Sequence, residues 1–130
     1  MGRWGNRTIL KNMEDKLYIY NAEVIRVVDG DTVDALVDLG FDTWKKVRIR
    51  FFGIDAYESR TKDLEEKKKG IKAKERVIEV LKENDNKFLL KSRGVGKYGR
   101  CLGEIYVKTL GDVSLQNLLI NEGHAVRYII

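Results

Sequence analysis

Val47, Ile49 and Phe51 alternate with Arg48, Arg50 and Phe52. That two-residue period demands a strand with one buried face over Trp44–Ile54. Such a strand needs companions, and two upstream runs supply them. Tyr18–Val28 (YIYNAEVIRVV) is rich in β-branched and aromatic residues, and in Thr32–Leu39 the residues Val33, Ala35, Val37 and Leu39 share a face. Asp29-Gly30-Asp31 reads as the turn between them, and Gly40 ends the second run. Residues 55–67 read as a polar loop. Over Lys68–Glu83 the period becomes helical, with Ile71, Lys74, Ile78 and Leu81 on one side and Val77 and Val80 flanking them. Gly70 weakens the first turn of that helix. Lys87–Lys91 and Leu102–Lys108 read as strands on either side of a glycine-rich stretch reaching Gly99. Ser114 is placed to cap a short helix, Leu115–Glu122, closed by Gly123, and Ala125–Ile129 forms a last strand. This order predicts an α+β fold, a small barrel with helices at one end.

The 130 residues suit one domain, expected over 18–130, and 43% hydrophobic residues provide for one core. Residues 1–17 are polar and aperiodic and are expected to form a flexible N-terminal segment. A single cysteine (Cys101) excludes an intramolecular disulfide and a Cys-rich zinc site, and a single histidine (His124) excludes multi-histidine metal sites. The excess of 25 Lys and Arg over 20 Asp and Glu, a net charge of +5, suits a polyanionic partner. Nothing near the N-terminus resembles a signal peptide, so the chain as written is expected to be intracellular, or secreted if a leader has been removed. No window approaches the roughly 18 apolar residues of a membrane span, so no membrane association is expected.

Two sets of residues could carry chemistry. Asp29 and Asp31 lie in the turn after one strand, and Asp55 and Glu58 follow another. Carboxylates converging at strand ends repel one another, and a divalent cation removes that penalty. Oxygen ligands without sulfur or imidazole point to calcium or magnesium, although the twelve-residue ladder of an EF-hand is absent. The alternative for each acidic residue is a solvated turn former. The second set is basic: Arg50, and Lys97 with Arg100 in KSRGVGKYGR. Arginine binds phosphate oxygens through two parallel hydrogen bonds, which suits a five-coordinate phosphoryl transition state. Gly94 to Gly99 also spell G-x-G-x-x-G, but the stretch leads into a strand rather than a helix, which excludes a dinucleotide site.

VVDGDTV, RFFGIDAYE and KYGR, in that order with a helix between the last two, resemble the staphylococcal-nuclease family. The resemblance runs from about Tyr20 to Tyr128. It implies an OB-fold, a five-stranded β-barrel with two to three helices, and a calcium-dependent nuclease acting on both DNA and RNA and leaving 3′-phosphate ends. By the same resemblance Asp31, Asp55 and the Ala56 carbonyl hold Ca2+, Arg50 and Arg100 are the catalytic arginines, and Glu58 is the general base. Lys97 and Tyr98 match positions that hold a terminal phosphate, and Tyr128 is a late aromatic contact. This chain reads Asp55-Ala56-Tyr57-Glu58 where the family usually has DTPE, so the proline before the glutamate is missing. A site that meets mainly backbone implies little sequence preference, and bases that can splay favour single strands. A monomer is expected. The rival reading is a catalytically silent barrel of the same fold that only binds nucleic acid or protein.

Overall fold

The computed structural model describes residues 7–128. Its elements, in chain order, are α1 (Arg7–Asp15), β1 (Ile19–Asp29), β2 (Thr32–Asp38), β3 (Trp44–Phe51), β4 (Ile54–Ala56), α2 (Leu64–Glu83), β5 (Lys87–Val95), β6 (Cys101–Tyr106), α3 (Leu115–Asn121) and β7 (Ala125–Arg127). Five strands close a barrel in the order β1-β2-β3-β6-β5, and β4 with β7 forms a separate two-stranded ribbon. The fold is the α+β small barrel that the order of elements predicted, in the OB-type, five-stranded form with two to three helices that the family resemblance implied. Every barrel pairing is antiparallel except β3 with β6, where Ile49, Arg50 and Phe51 face Cys101, Leu102 and Gly103 in parallel register. The alternating residues Val33, Ala35, Val37, Ile49 and Phe51 point into the barrel and meet Leu90 and Ile105, while Val77, Val80, Leu115 and Leu119 complete the core.

The third strand stops earlier than its periodicity suggested. Gly53 takes a left-handed φ of +81°, so the chain turns out of the barrel and Ile54–Ala56 pairs with β7 instead. The ribbon moves Asp55 and Ala56 off the barrel wall and over the turn between β1 and β2.

Helix α2 starts four residues before its expected beginning because Asp63 caps it, its side chain accepting from the Glu65 and Glu66 N–H groups at 3.0 and 3.2 Å. Its buried face also differs from the expected one. Gly70, Ala73, Val77, Val80 and Leu81 are buried, whereas Ile71 and Ile78 remain 38% and 41% exposed. Small residues decide the orientation. A Cβ on Gly30 would lie 2.6 Å from the Ala73 Cβ, so the helix and the Asp-Gly-Asp turn touch through a glycine and an alanine.

A second correction concerns the N-terminus. Residues 7–15 of the segment expected to be aperiodic and flexible are helical, while residues 1–6 lie outside the described residues. The Lys91 ammonium donates to the Asp15 and Leu17 carbonyls at 3.1 and 2.7 Å, satisfying groups that the end of α1 leaves open. In the last helix, Ser114 caps as expected, accepting from the Asn117 N–H at 3.1 Å. The buried Gln116 then fastens α3 to the barrel. Its amide donates to the Gly103 carbonyl at 2.9 Å, and its oxygen accepts from the Ile105 N–H at 3.1 Å.

Candidate active site

The turn at Asp29–Asp31 joins β1 to β2, and the register sets Thr32 opposite Arg50. A single guanidinium thereby meets two carboxylates that are distant in sequence. Arg50 Nη1 lies 3.4 Å from Asp31 Oδ2, and Nη2 lies 3.3 Å from Asp55 Oδ1. The same Nη1 donates to the carbonyls of Phe51 and Ile54 at 3.1 and 2.8 Å, which anchors the guanidinium against the chain as it leaves the barrel. Arg50 and Asp31 are mostly enclosed, whereas Asp55 faces solvent.

Asp31 is the most constrained of these groups. It accepts from the Thr32 hydroxyl and from the Ala56 N–H, both at 2.9 Å. Burial nevertheless pushes its carboxyl above the ordinary aspartate range, outweighing the Arg50 charge and both hydrogen bonds, and the nearby Asp55 charge adds to the rise. Its charged form is therefore under-compensated. The oxygen donors that could hold a hard cation here are the Asp31 and Asp55 carboxylates, each beside a different nitrogen of Arg50, and the backbone at Ala56, whose N–H is tied to Asp31. Among the described residues no group of three or more Asp, Glu, His or Cys gathers around one point, so further ligands would have to be carbonyl or water oxygens.

Glu58 is exposed, and its carboxylate makes no hydrogen bond or ion pair among the described residues. Its backbone is held from behind. A Cβ on Gly70 would overlap the Glu58 carbonyl oxygen and lie 2.5 and 2.7 Å from the Glu58 carbonyl carbon and the Ser59 nitrogen. In a solvated helix Gly→Ala gains about 1 kcal/mol. Here the obstruction is backbone that no rotamer can clear, so overlap wins. Gly70→Ala is expected to destabilise by about 1–3 kcal/mol, with a loss of cleavage rate if Glu58 moves. Chemical denaturation checks the sign, and a variant more stable than wild type would show that α2 does not press on this loop.

Arg100 begins the approach to β6 with extended backbone. Since Arg50 faces Leu102 and residues two apart share a face, Arg100 lies on the side of the wall that carries Arg50. Its Nε is buried without a hydrogen-bond partner. Orphaned buried donors are uncommon, and a phosphate oxygen is a natural acceptor. Lys97 and Tyr98 occupy the short turn before it. Tyr98 is 92% exposed with a left-handed φ of +62°, and its ring lies 5.9 Å from the Arg100 guanidinium carbon. Tyr128 follows β7, half exposed, its N–H donating to the Gly53 carbonyl at 2.9 Å beside the Arg50–Asp55 stretch.

The structure thus brings Asp31, Arg50, Asp55 and Ala56 into direct contact. Among the described residues no hydrogen bond or ion pair joins the side chains of Glu58, Arg100, Lys97, Tyr98 or Tyr128 to that centre. Gly30, Gly70 and Ser59 also belong to the surroundings of the site: Gly30 is legible in the sequence only as a turn residue and Gly70 only as a glycine inside a helix, and Ser59 has no local signal. A groove of about 870 Å³ lies elsewhere, lined by Trp44, Glu83, Phe88 and Tyr106 among others. It contains neither the paired carboxylates nor the arginines, so chemistry rather than volume identifies the site.

The family model described as staphylococcal nuclease homologue matches residues 48–130, a range that contains every candidate residue except Asp29 and Asp31. Micrococcal nuclease of Shigella flexneri is 30% identical over 115 residues, 84% of this chain and 59% of the relative. Protein ParB of Escherichia coli is 34% identical over 85 residues, 65% of this chain and 41% of the relative. The chain therefore spans about three-fifths and two-fifths of the length of these relatives.

Proposed function

The chain belongs to the family of staphylococcal nuclease homologues, and from that membership we propose that it is a calcium-dependent, sugar-non-specific phosphodiesterase that cleaves DNA and RNA and leaves 3′-phosphate ends. The observation that carries this reading is the Arg50 guanidinium held between Asp31 and Asp55, with Arg100 on the same side of the barrel wall. It combines oxygen ligands suited to a hard cation with cations suited to a phosphodiester.

Asp31, Asp55 and the Ala56 carbonyl would hold calcium, which when bound supplies screening of the phosphate charge. Glu58, with its carboxylate open to solvent, accepts a proton from the attacking water. Water attacks phosphorus in line with the 5′-oxygen, which departs and leaves the phosphate on the 3′ side. Arg50 and Arg100 bind the non-bridging oxygens, whose negative charge grows in the five-coordinate transition state. Tyr98 and Tyr128 offer exposed rings for splayed bases, which favours single strands, and Lys97 offers an ammonium to a neighbouring phosphate. The protein acts as a monomer in this reading.

Purified protein incubated with heat-denatured DNA and with RNA is expected to cleave both with calcium, and a chelator is expected to abolish cleavage. End-labelling should find 3′-phosphates. Intact substrates in calcium and in magnesium, retarded on a gel all the same, would replace the nuclease reading with the silent binding barrel.

A further inference from the structure

The two aspartates of the Asp-Gly-Asp turn reach the same short segment from different ends. Asp31 accepts from the Ala56 N–H at 2.9 Å. Asp29 accepts twice on Oδ1, from the Ser59 hydroxyl at 2.6 Å and from the Ser59 N–H at 3.2 Å. Between these anchors lie only Tyr57 and Glu58. Ser59 is buried at 6% exposure, so its hydroxyl has a defined partner rather than solvent. Gly70 lets α2 lie directly against the backbone of Glu58 and Ser59, and Gly30 lets the turn lie against Ala73. The segment is therefore held at both ends and backed by a helix, although it lacks the proline that the family usually carries before the glutamate.

We propose that Asp29 and Ser59 are positioning residues that set the place of Glu58, and that Asp29 serves as a hydrogen-bond acceptor and not as a metal ligand. The inference rests on the nuclease reading for the role of Glu58. Asp29 turns its Oδ1 to Ser59, while Asp31 turns to Ala56 and Arg50, so the neighbouring carboxylates divide the work of the turn. Holding a base against its water is a matter of small distances, and a displacement of about 1 Å can lower a rate by about 10²-fold.

The test compares Asp29→Ala, Asp29→Asn, Ser59→Ala and the double variant Asp29→Ala/Ser59→Ala. It measures kcat and KM on single-stranded DNA, calcium affinity, and amide hydrogen exchange of Glu58 and Ser59. Each alanine variant is expected to lower kcat about 10–100-fold, with KM and calcium affinity changed little. The double variant should be no worse than the poorer single one, because both remove the same link. Asp29→Asn should retain most of the rate, since its amide oxygen can accept both bonds. Amide protection at Ser59, whose N–H donates to Asp29, should fall in Asp29→Ala and persist in Asp29→Asn. A different pattern overturns the proposal: Asp29→Asn as damaging as Asp29→Ala together with weakened calcium binding would make the charge at Asp29 the operative feature. Additive losses in the double variant, or unchanged rate and exchange in both single variants, overturn it equally. If wild type cleaves nothing, the nuclease reading fails, and amide exchange still decides whether Asp29 and Ser59 hold the segment.

Discussion

Glu58→Gln is expected to lower kcat on single-stranded DNA by about 10²–10⁴-fold, the usual loss when a general base is removed. The substitution keeps the size and shape of the side chain and removes only its capacity to take a proton. The surroundings make the experiment clean. Glu58 is exposed and its carboxylate has no partner among the described residues, so the fold does not depend on it. Exposed positions of this kind usually change stability by no more than about 0.5 kcal/mol. The unfolding midpoint should therefore stay at the wild-type value while turnover falls. KM should move little, because the carboxylate acts on the water and binds no part of the substrate. Stopped-time cleavage assays in calcium, with urea denaturation on the same preparations, provide both readouts. A variant with more than a tenth of wild-type turnover would remove Glu58 from the role of base.

Arg50→Lys is expected to lower kcat by about 10²–10³-fold, the loss seen when one preorganised donor to a developing oxyanion is removed. Lysine keeps the positive charge but not the planar fork. In this structure the fork matters twice, since Nη1 and Nη2 reach Asp31 and Asp55 respectively while Nη1 also binds the Phe51 and Ile54 carbonyls. An ammonium can neutralise Asp31 yet cannot reach both carboxylates and both carbonyls. Arg50→Ala goes further, because it leaves the enclosed Asp31 carboxylate without its counter-charge. Breaking a buried pair from one side costs about 3–5 kcal/mol. The pair of variants therefore separates catalysis from support: lysine should lose turnover with most of the stability kept, and alanine should lose both. If Arg50→Lys turns over like wild type, the guanidinium is a structural strut between two aspartates, and phosphate stabilisation falls to Arg100 alone.

Barrel strands, the capped last helix and the polyanion-suited charge were legible because each is written locally. Val47, Ile49 and Phe51 declare their face by a period of two, and Ser114 stands directly before the helix that it caps. In α2 the small residues, not the large apolar ones, carry the information. Ile71 and Ile78 look like core by hydropathy, yet the helix turns Gly70 and Ala73 inward, since only a minimal side chain allows it to approach the Asp-Gly-Asp turn and the Glu58 backbone. The N-terminal helix is not legible locally for a related reason: the carbonyls at its end are satisfied by Lys91, 76 residues away from Asp15. Gly53 looked like part of a strand, and its left-handed backbone turned three residues into a ribbon that presents Asp55 and Ala56 to Asp31.

By itself the sequence determined the order of the five barrel strands and of the two later helices, the residue types available for metal and phosphate, and a resemblance strong enough to name the family. Tertiary structure decided which of those residues meet. Asp31 reaches Ala56 across 25 residues and Asp29 reaches Ser59 across 30, separations at which no periodicity carries information. Such pairs depend on strand register and on how closely a helix can approach, and both are set by packing of the whole barrel, not by the neighbours of any one residue.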